Sequence, residues 1–125
     1  MFKLLAIAFG GAVGSLMRVY GSEWVSARTG LSLIHGTMAV NLLGALLIGL
    51  CIGFLQTKPD LPTWVRFLII SGGLGGFTTF SSFIYELLEL FLQGDYFTAF
   101  YYSSIQLIGG FLLCWIALAV SRSIF

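Results

Sequence analysis

Residues 64–92 read WVRFLIISGGLGGFTTFSSFIYELLELFL, and this stretch decides the fold. It is apolar enough to be a membrane span, yet at 1.5 Å rise per residue a continuous helix here would be roughly 43 Å long, well beyond about 30 Å of hydrocarbon. It also carries Gly72, Gly73, Gly75 and Gly76, each costing a helix interior about 1 kcal/mol relative to Ala. The expectation is a span broken into two half-helices at 72–76. Non-helical backbone at membrane depth survives only where protein buries it or water lines it, and unwound carbonyls there can coordinate an ion. The alternative is an unbroken helix whose small residues allow a tight crossing. The polar run Thr78-Thr79-Phe80-Ser81-Ser82 that follows favours the functional reading.

Working outward, three further apolar stretches are long enough to span: residues 2–20, 33–55 and 97–120. The expected class is therefore an all-α integral membrane protein, one transmembrane domain of four helices over residues 1–125. Composition agrees. Of the 125 residues 58% are hydrophobic and 9% charged, with a mean hydropathy of +1.01. A soluble domain carries about 25% charged residues. This excludes a soluble enzyme, a disordered segment and a nucleic-acid binder, and the net charge of +1 sets up no field to select a partner. Lys3 followed by an apolar run also resembles a cleavable signal peptide, although Gly10, Gly11, Gly14 and Arg18 suit a packed span better. Cys51 and Cys114 lie in apolar runs and read as small buried hydrophobes. His35 has no Cys or His partner at metal-ligand spacing.

An even number of spans puts both termini on one side. Lys3, Lys58, Arg66 and Arg122 then face that side, against Arg18 and Arg28 on the other. This is a shallow positive-inside bias, compatible with insertion in both orientations as well as with a single one. Gly10/Gly14 and Gly49/Gly53 fit the small-xxx-small pattern of close helix crossings. They suggest intrachain contacts and a dimer, which would be antiparallel if both orientations coexist.

Polar groups inside a membrane are costly and often functional. Asn41 lies mid-way along the second span, Thr78, Thr79, Ser81 and Ser82 follow the glycines, Tyr102 and Gln106 lie in the fourth span, and Arg18 closes the first. The first, second and fourth spans hold no acidic residue, and Glu86 and Glu89 lie near the end of the third. Amides, hydroxyls and a guanidinium donate hydrogen bonds, so this inventory favours an anion as the permeating species. Phe80 and Phe83 share a helix face at i, i+3. Their electropositive ring edges can touch a small anion, although such a pair is more often packing.

Three blocks together resemble the Fluc family of bacterial fluoride channels: Gly10-Gly11-Ala12-Val13-Gly14-Ser15-Leu16-Met17-Arg18, Gly36-Thr37-Met38-Ala39-Val40-Asn41-Leu42-Leu43-Gly44, and residues 72–83 from Gly72 through Thr78-Thr79-Phe80 to Phe83. The resemblance covers all four spans in order. It implies a passive fluoride-selective channel in the bacterial inner membrane, built as an antiparallel dual-topology homodimer with two pores. It also implies one structural, non-permeating sodium ion on backbone carbonyls of Gly75 and Thr78 from both chains. Phe80 and Phe83 would line the pore, with Asn41 as the pore amide and Arg18 near the vestibule. A polar track would include Thr79, Ser81, Ser82 and Tyr102. The family commonly has Ser four residues after that Tyr, where this chain has Gln106, a larger donor whose part in the track is open. Fluoride is small and strongly hydrated, so donors are needed along its whole path. The competing readings are a small four-span multidrug or cation exporter, which would use a deep carboxylate in the first span, and a non-transporting assembly subunit, which leaves Asn41 and the Thr-Ser run unexplained.

Overall fold

The computed structural model describes residues 1–125, all helix and turn without a strand. Four segments are long and apolar enough to cross a membrane: Phe2–Thr29, Leu33–Gln56, Thr63–Leu92 and Tyr96–Ile124. We label them α1 (Phe2–Thr29), α2 (Leu33–Gln56), α3 and α4 (residues 63–77 and Phe80–Leu92, the two halves of the third) and α5 (Tyr96–Ile124). Only 18 of 125 residues are buried. Phe2, Phe9, Leu16, Phe97, Phe111 and Trp115 all lie exposed, a surface suited to lipid or to another chain rather than to water.

The helix ends follow from local chemistry. α1 continues to Thr29, beyond the expected end of the first span at residue 20, so Glu23 and Arg28 lie on its last turns. It stops at Gly30, whose φ of 69° is the left-handed cap that lacks a Cβ penalty. α2 ends before the Pro59 turn, and the Arg66 guanidinium secures that turn by donating to the carbonyls of Leu55 (3.0 Å) and Lys58 (2.8 Å). α5 begins at Asp95, whose carboxylate accepts the Thr98 N–H at 3.1 Å. At its other end Arg122 Nε donates to Gln56 Oε1 (3.0 Å), and the buried Ser121 hydroxyl donates to the Leu50 carbonyl (2.8 Å).

The third span is broken, but not at the glycines. Residues 72–76 stay helical: Phe67–Leu74 winds as a π-helix and Gly75–Phe77 as α. The interruption falls at Thr78 and Thr79, which are extended (φ −92°, ψ 155° and φ −145°, ψ 117°). The glycines serve the crossing instead. A Cβ on Gly76 would lie 2.6 Å from the Gly11 carbonyl oxygen, and one on Gly14 would collide with the Gly73 carbonyl. Backbone-to-backbone packing of α1 on α3 therefore offsets the helix cost of these glycines. Gly49 and Gly53 likewise admit α5 at Cys114 and Ser121. Both small-xxx-small pairs are thus occupied by contacts within one chain, and neither supplies an argument for a dimer.

Candidate functional site

The break frees backbone groups, and their partners define the site. In a continuous helix the Thr79 N–H would bond the Gly75 carbonyl. It donates instead to Asn41 Oδ1 (2.8 Å), while Asn41 Nδ2 donates to the Thr79 carbonyl (3.0 Å). Thr79 also caps α4, its Oγ1 accepting the Ser82 N–H at 3.2 Å, which takes that donor from the Thr78 carbonyl. Arg18 Nε donates to the Gly76 carbonyl at 3.2 Å. A side chain from α1 and another from α2 thus replace hydrogen bonds that the third span gives up. The Leu74 carbonyl accepts both the Thr78 N–H and the Thr78 hydroxyl, each at 3.0 Å.

Below the break, α4 turns one face toward α2 and α5. Phe83 is 3% exposed and Phe80 is 69% exposed, with ring centroids 5.7 Å apart. Phe83 meets Tyr102 edge-on at 5.2 Å. The Tyr102 hydroxyl donates to Glu86 Oε2, and the Thr37 hydroxyl donates to Glu86 Oε1 at 2.7 Å. Two hydroxyl donors, one to each oxygen, satisfy this carboxyl group.

Three cavities open on these groups. One of about 200 Å³ is lined by Asn41, Thr78, Thr79, Phe80, Phe83 and Gln106. A second, about 270 Å³, shares Asn41 and Thr78 and adds Gly44, Leu74 and Gly75. A wider mouth of about 620 Å³ is lined by Ser81, Ser82, Tyr85, Glu86 and Glu89 with Ser32. Asn41 and Thr78 therefore stand between two cavities, and Phe83 lies between the smaller one and the Tyr102–Glu86 contact.

The structure brings together Asn41, Thr78, Thr79, Phe80, Phe83 and Gln106 around one cavity and places Tyr102 against Phe83. Ser81 and Ser82 line the neighbouring mouth. Arg18 reaches the site only through the Gly76 carbonyl, and Gly75 faces the second cavity. Thr37 and Glu86 belong to the same constellation and were not expected there. The signals were present in the sequence: Thr37 lies one helical turn before Asn41, and Glu86 is an acid three residues after Phe83 in an apolar span.

A family model described as "CrcB-like protein, Camphor Resistance (CrcB)" matches residues 5–118. The chain is 40% identical over 123 residues to a "Fluoride-specific ion channel FluC" of Pseudomonas fluorescens (strain SBW25), covering 98% of this chain and 99% of the relative. Proteins of the same name from Azotobacter vinelandii (41% over 118 residues; 94% of this chain, 95% of the relative) and Stutzerimonas stutzeri (42% over 117 residues; 94% of each) are similarly alike.

Proposed function

The chain belongs to the CrcB-like family, and on that premise we propose that it is a fluoride-selective ion channel of the bacterial inner membrane, lowering cytoplasmic fluoride by passive efflux. The observation that carries the reading is the cavity between α2, α4 and α5, where amides from Asn41 and Gln106 meet the rings of Phe80 and Phe83 with no carboxylate in the lining. A small anion with a tight hydration shell needs donors in place of lost water and no fixed negative charge beside it. The path we assign enters by the mouth lined by Ser81 and Ser82, where Glu86 and Glu89 also stand, and passes Phe80, Phe83 and Thr79, with Tyr102 and Gln106 along the α5 side and Asn41 at the inner end; the carboxylate-free stretch is the inner cavity, not the mouth. Arg18 stands behind it, holding the Gly76 carbonyl.

We further read the working unit as an antiparallel homodimer with two pores and a central sodium ion that does not permeate. The exposed apolar surface supports a second chain or lipid. For the ion, the Gly75 and Thr78 carbonyls are suitable donors: the Thr79 and Ser82 N–H groups that would bond them in a continuous helix are engaged by Asn41 and by Thr79 Oγ1. Gly75 is also open, a Cβ there meeting only its own chain's Ile70 carbonyl at 3.5 Å. Two copies supply four neutral oxygens, which suit a monovalent ion better than calcium, whose sites recruit carboxylates. When bound, the ion would neutralise converging carbonyl dipoles.

The test is ion efflux from liposomes containing the pure protein. Fluoride should leave far faster than chloride, with no proton gradient required. Equal release of both ions, or proton-driven export of organic cations, would replace this reading with the exporter.

A further inference from the structure

The charges of this chain are polarised along its helices. At one end lie Lys3, Lys58, Arg66 and Arg122, with Asp60 as the single acid. Glu23, Glu86, Glu89 and Asp95 lie toward the other, on the last turns of α1, on α4 and at the start of α5. At the basic end two guanidiniums converge on the last turn of α2. Arg66, from α3, donates through Nη2 to the carbonyls of Leu55 (3.0 Å) and Lys58 (2.8 Å). Arg122, from α5, donates through Nε to Gln56 Oε1 (3.0 Å). Leu55 and Gln56 are neighbours in sequence, so the two cations flank one helix end.

Capping explains part of this. The last carbonyls of a helix lack intrahelical partners, and a cation suits the negative end of the helix dipole. Capping does not explain Arg122, whose acceptor is a side chain. All these acceptors are neutral, so both positive charges stay whole. A guanidinium carries five N–H groups in a planar fork, of which Arg66 uses two within the chain and Arg122 one. The bonds already made hold the rest of each fork in place, so an outside acceptor binds them with little further loss of side-chain freedom. A planar fork matches the oxygens of a phosphate.

The surroundings set the depth of that acceptor. The rings of Phe54 and Phe125 meet edge-on beside the arginines, with centroids 5.1 Å apart. Trp64, two residues before Arg66, is 45% exposed. Aromatic residues at span ends sit at headgroup level, and basic clusters between span ends take anionic headgroups. We propose that the ends of α2, α3 and α5 form a binding site for the phosphate of an anionic phospholipid, with Arg66 and Arg122 as its ligands and Lys58 adding charge. The site is independent of the ion that the channel passes. The other candidate occupant is the acidic end of a second, antiparallel copy. There, however, Glu86, Glu89 and Asp95 already accept hydroxyl or N–H donors from their own chain.

The pure protein in neutral detergent is titrated with phosphatidylglycerol, phosphatidylcholine or inorganic phosphate while its unfolding temperature is followed. Phosphatidylglycerol should raise that temperature, as a ligand of the native state does, and high salt should shrink the shift. Phosphatidylcholine has a phosphate and tails but no net charge, and inorganic phosphate has no tails. Each should give a much smaller shift. Arg66→Gln and Arg122→Gln should each weaken the apparent affinity for phosphatidylglycerol about five-fold, the scale of one cation near an anionic surface. Arg28→Gln, at the opposite end, should leave it unchanged. Arg122 bonds only a side chain, so Arg122→Gln decides alone if loss of the Arg66 caps prevents folding. Equal shifts from phosphatidylglycerol and phosphatidylcholine would overturn the assignment, as would undiminished affinity in Arg122→Gln. A full shift from inorganic phosphate would replace the lipid with a free anion, and a lipid-free dimer lost in Arg122→Gln would give the arginines to a second copy instead.

Discussion

Asn41 and Thr79, 38 positions apart in sequence, hold each other through two hydrogen bonds, one in each direction between a side-chain amide and a single peptide unit. The pairing lets the third span break at membrane depth without leaving the Thr79 N–H or carbonyl bare. Asn41→Leu should therefore destabilise the fold by about 1–3 kcal/mol and abolish fluoride efflux. Asn41→Asp keeps the acceptor for the Thr79 N–H but turns a charged oxygen toward its carbonyl, and should be the more damaging of the two. Thermal unfolding in detergent together with liposome efflux checks both, and an Asp variant more stable than the Leu variant would contradict the pairing.

Phe80 and Phe83 differ in burial, and their substitutions should separate. Phe83 packs on Tyr102 and is almost fully buried, so Phe83→Ala should cost about 3–5 kcal/mol as a core truncation. Phe80 is largely exposed in the single chain, and Phe80→Ile should leave stability nearly unchanged. Both Phe80→Ile and Phe83→Ile should lower fluoride flux. Unchanged flux in both would return the pair to packing alone.

The start of α5 should respond to acid. Thr98, through its side chain first and its backbone N–H second, holds the Asp95 carboxyl below the usual carboxylate range. The folded value is lower than the unfolded one, so the stabilising contribution is full above the ordinary carboxylate pKa and is lost as pH falls through the folded value. Asp95→Ala should remove that acid-side dependence and fray the first turn of α5, whereas Asp95→Ser, another N-cap former, should keep the turn without the titration. Hydrogen exchange at the Thr98 amide as a function of pH reads the effect directly.

Much of this was legible in the sequence because membrane spans are written in runs of apolar residues. The four spans, and a broken third one, follow from length and hydropathy. The position of the break does not. Glycine's helix cost pointed to 72–76, but Gly14 and Gly11 on α1 approach those glycines backbone to backbone and keep them helical. The interruption falls where replacement partners exist: Asn41 for the Thr79 peptide, and the Thr79 hydroxyl for Ser82. Such pairing is tertiary and invisible along the chain. Arg18, Asn41 and the Phe pair were readable as polar or aromatic exceptions within motif blocks. Glu86 was visible as a charge, but its partners Thr37 and Tyr102 come from two other helices, and only the fold shows that the acid is doubly bonded.

The distribution of basic residues bears on orientation. Arg18 is drawn inward to the Gly76 carbonyl, and Arg66 and Arg122 are engaged with groups at the end of α2. Their acceptors are neutral, so each guanidinium keeps its charge and the balance stays at Lys3, Lys58, Arg66 and Arg122 on one side against Arg18 and Arg28 on the other, a shallow bias, and orientation follows Lys and Arg near the span ends. Reporters fused to the C-terminus that work on only one side of the membrane should give signal from both. Adding two lysines after Phe125 should shift the balance to one side and lower efflux, because an antiparallel partner becomes scarce. A one-sided signal from the unmodified chain would exclude the antiparallel dimer.

The sodium proposal makes the sharpest demand on the break. Its ligands would be backbone oxygens, so side-chain chemistry at Thr78 should matter little: Thr78→Ser keeps the hydroxyl that donates to the Leu74 carbonyl and should leave efflux near that of the unmodified chain. Gly75 is the opposite case. It is exposed in the single chain, and a Cβ there makes only an ordinary contact with its own chain's Ile70 carbonyl, so Gly75→Leu should fold as a monomer of ordinary helix content yet fail to pair, because the new side chain occupies the approach of the second copy. Fluoride efflux should fall with it. Prolonged replacement of sodium by a large organic cation should silence the unmodified channel slowly, at the rate at which a buried ion escapes, and restored sodium should recover activity without sodium itself crossing. Sodium flux coupled to fluoride would make the ion a co-substrate. Full activity after exhaustive sodium removal would leave the Gly75 and Thr78 carbonyls to water, and the bilayer assay distinguishes these outcomes in a single series.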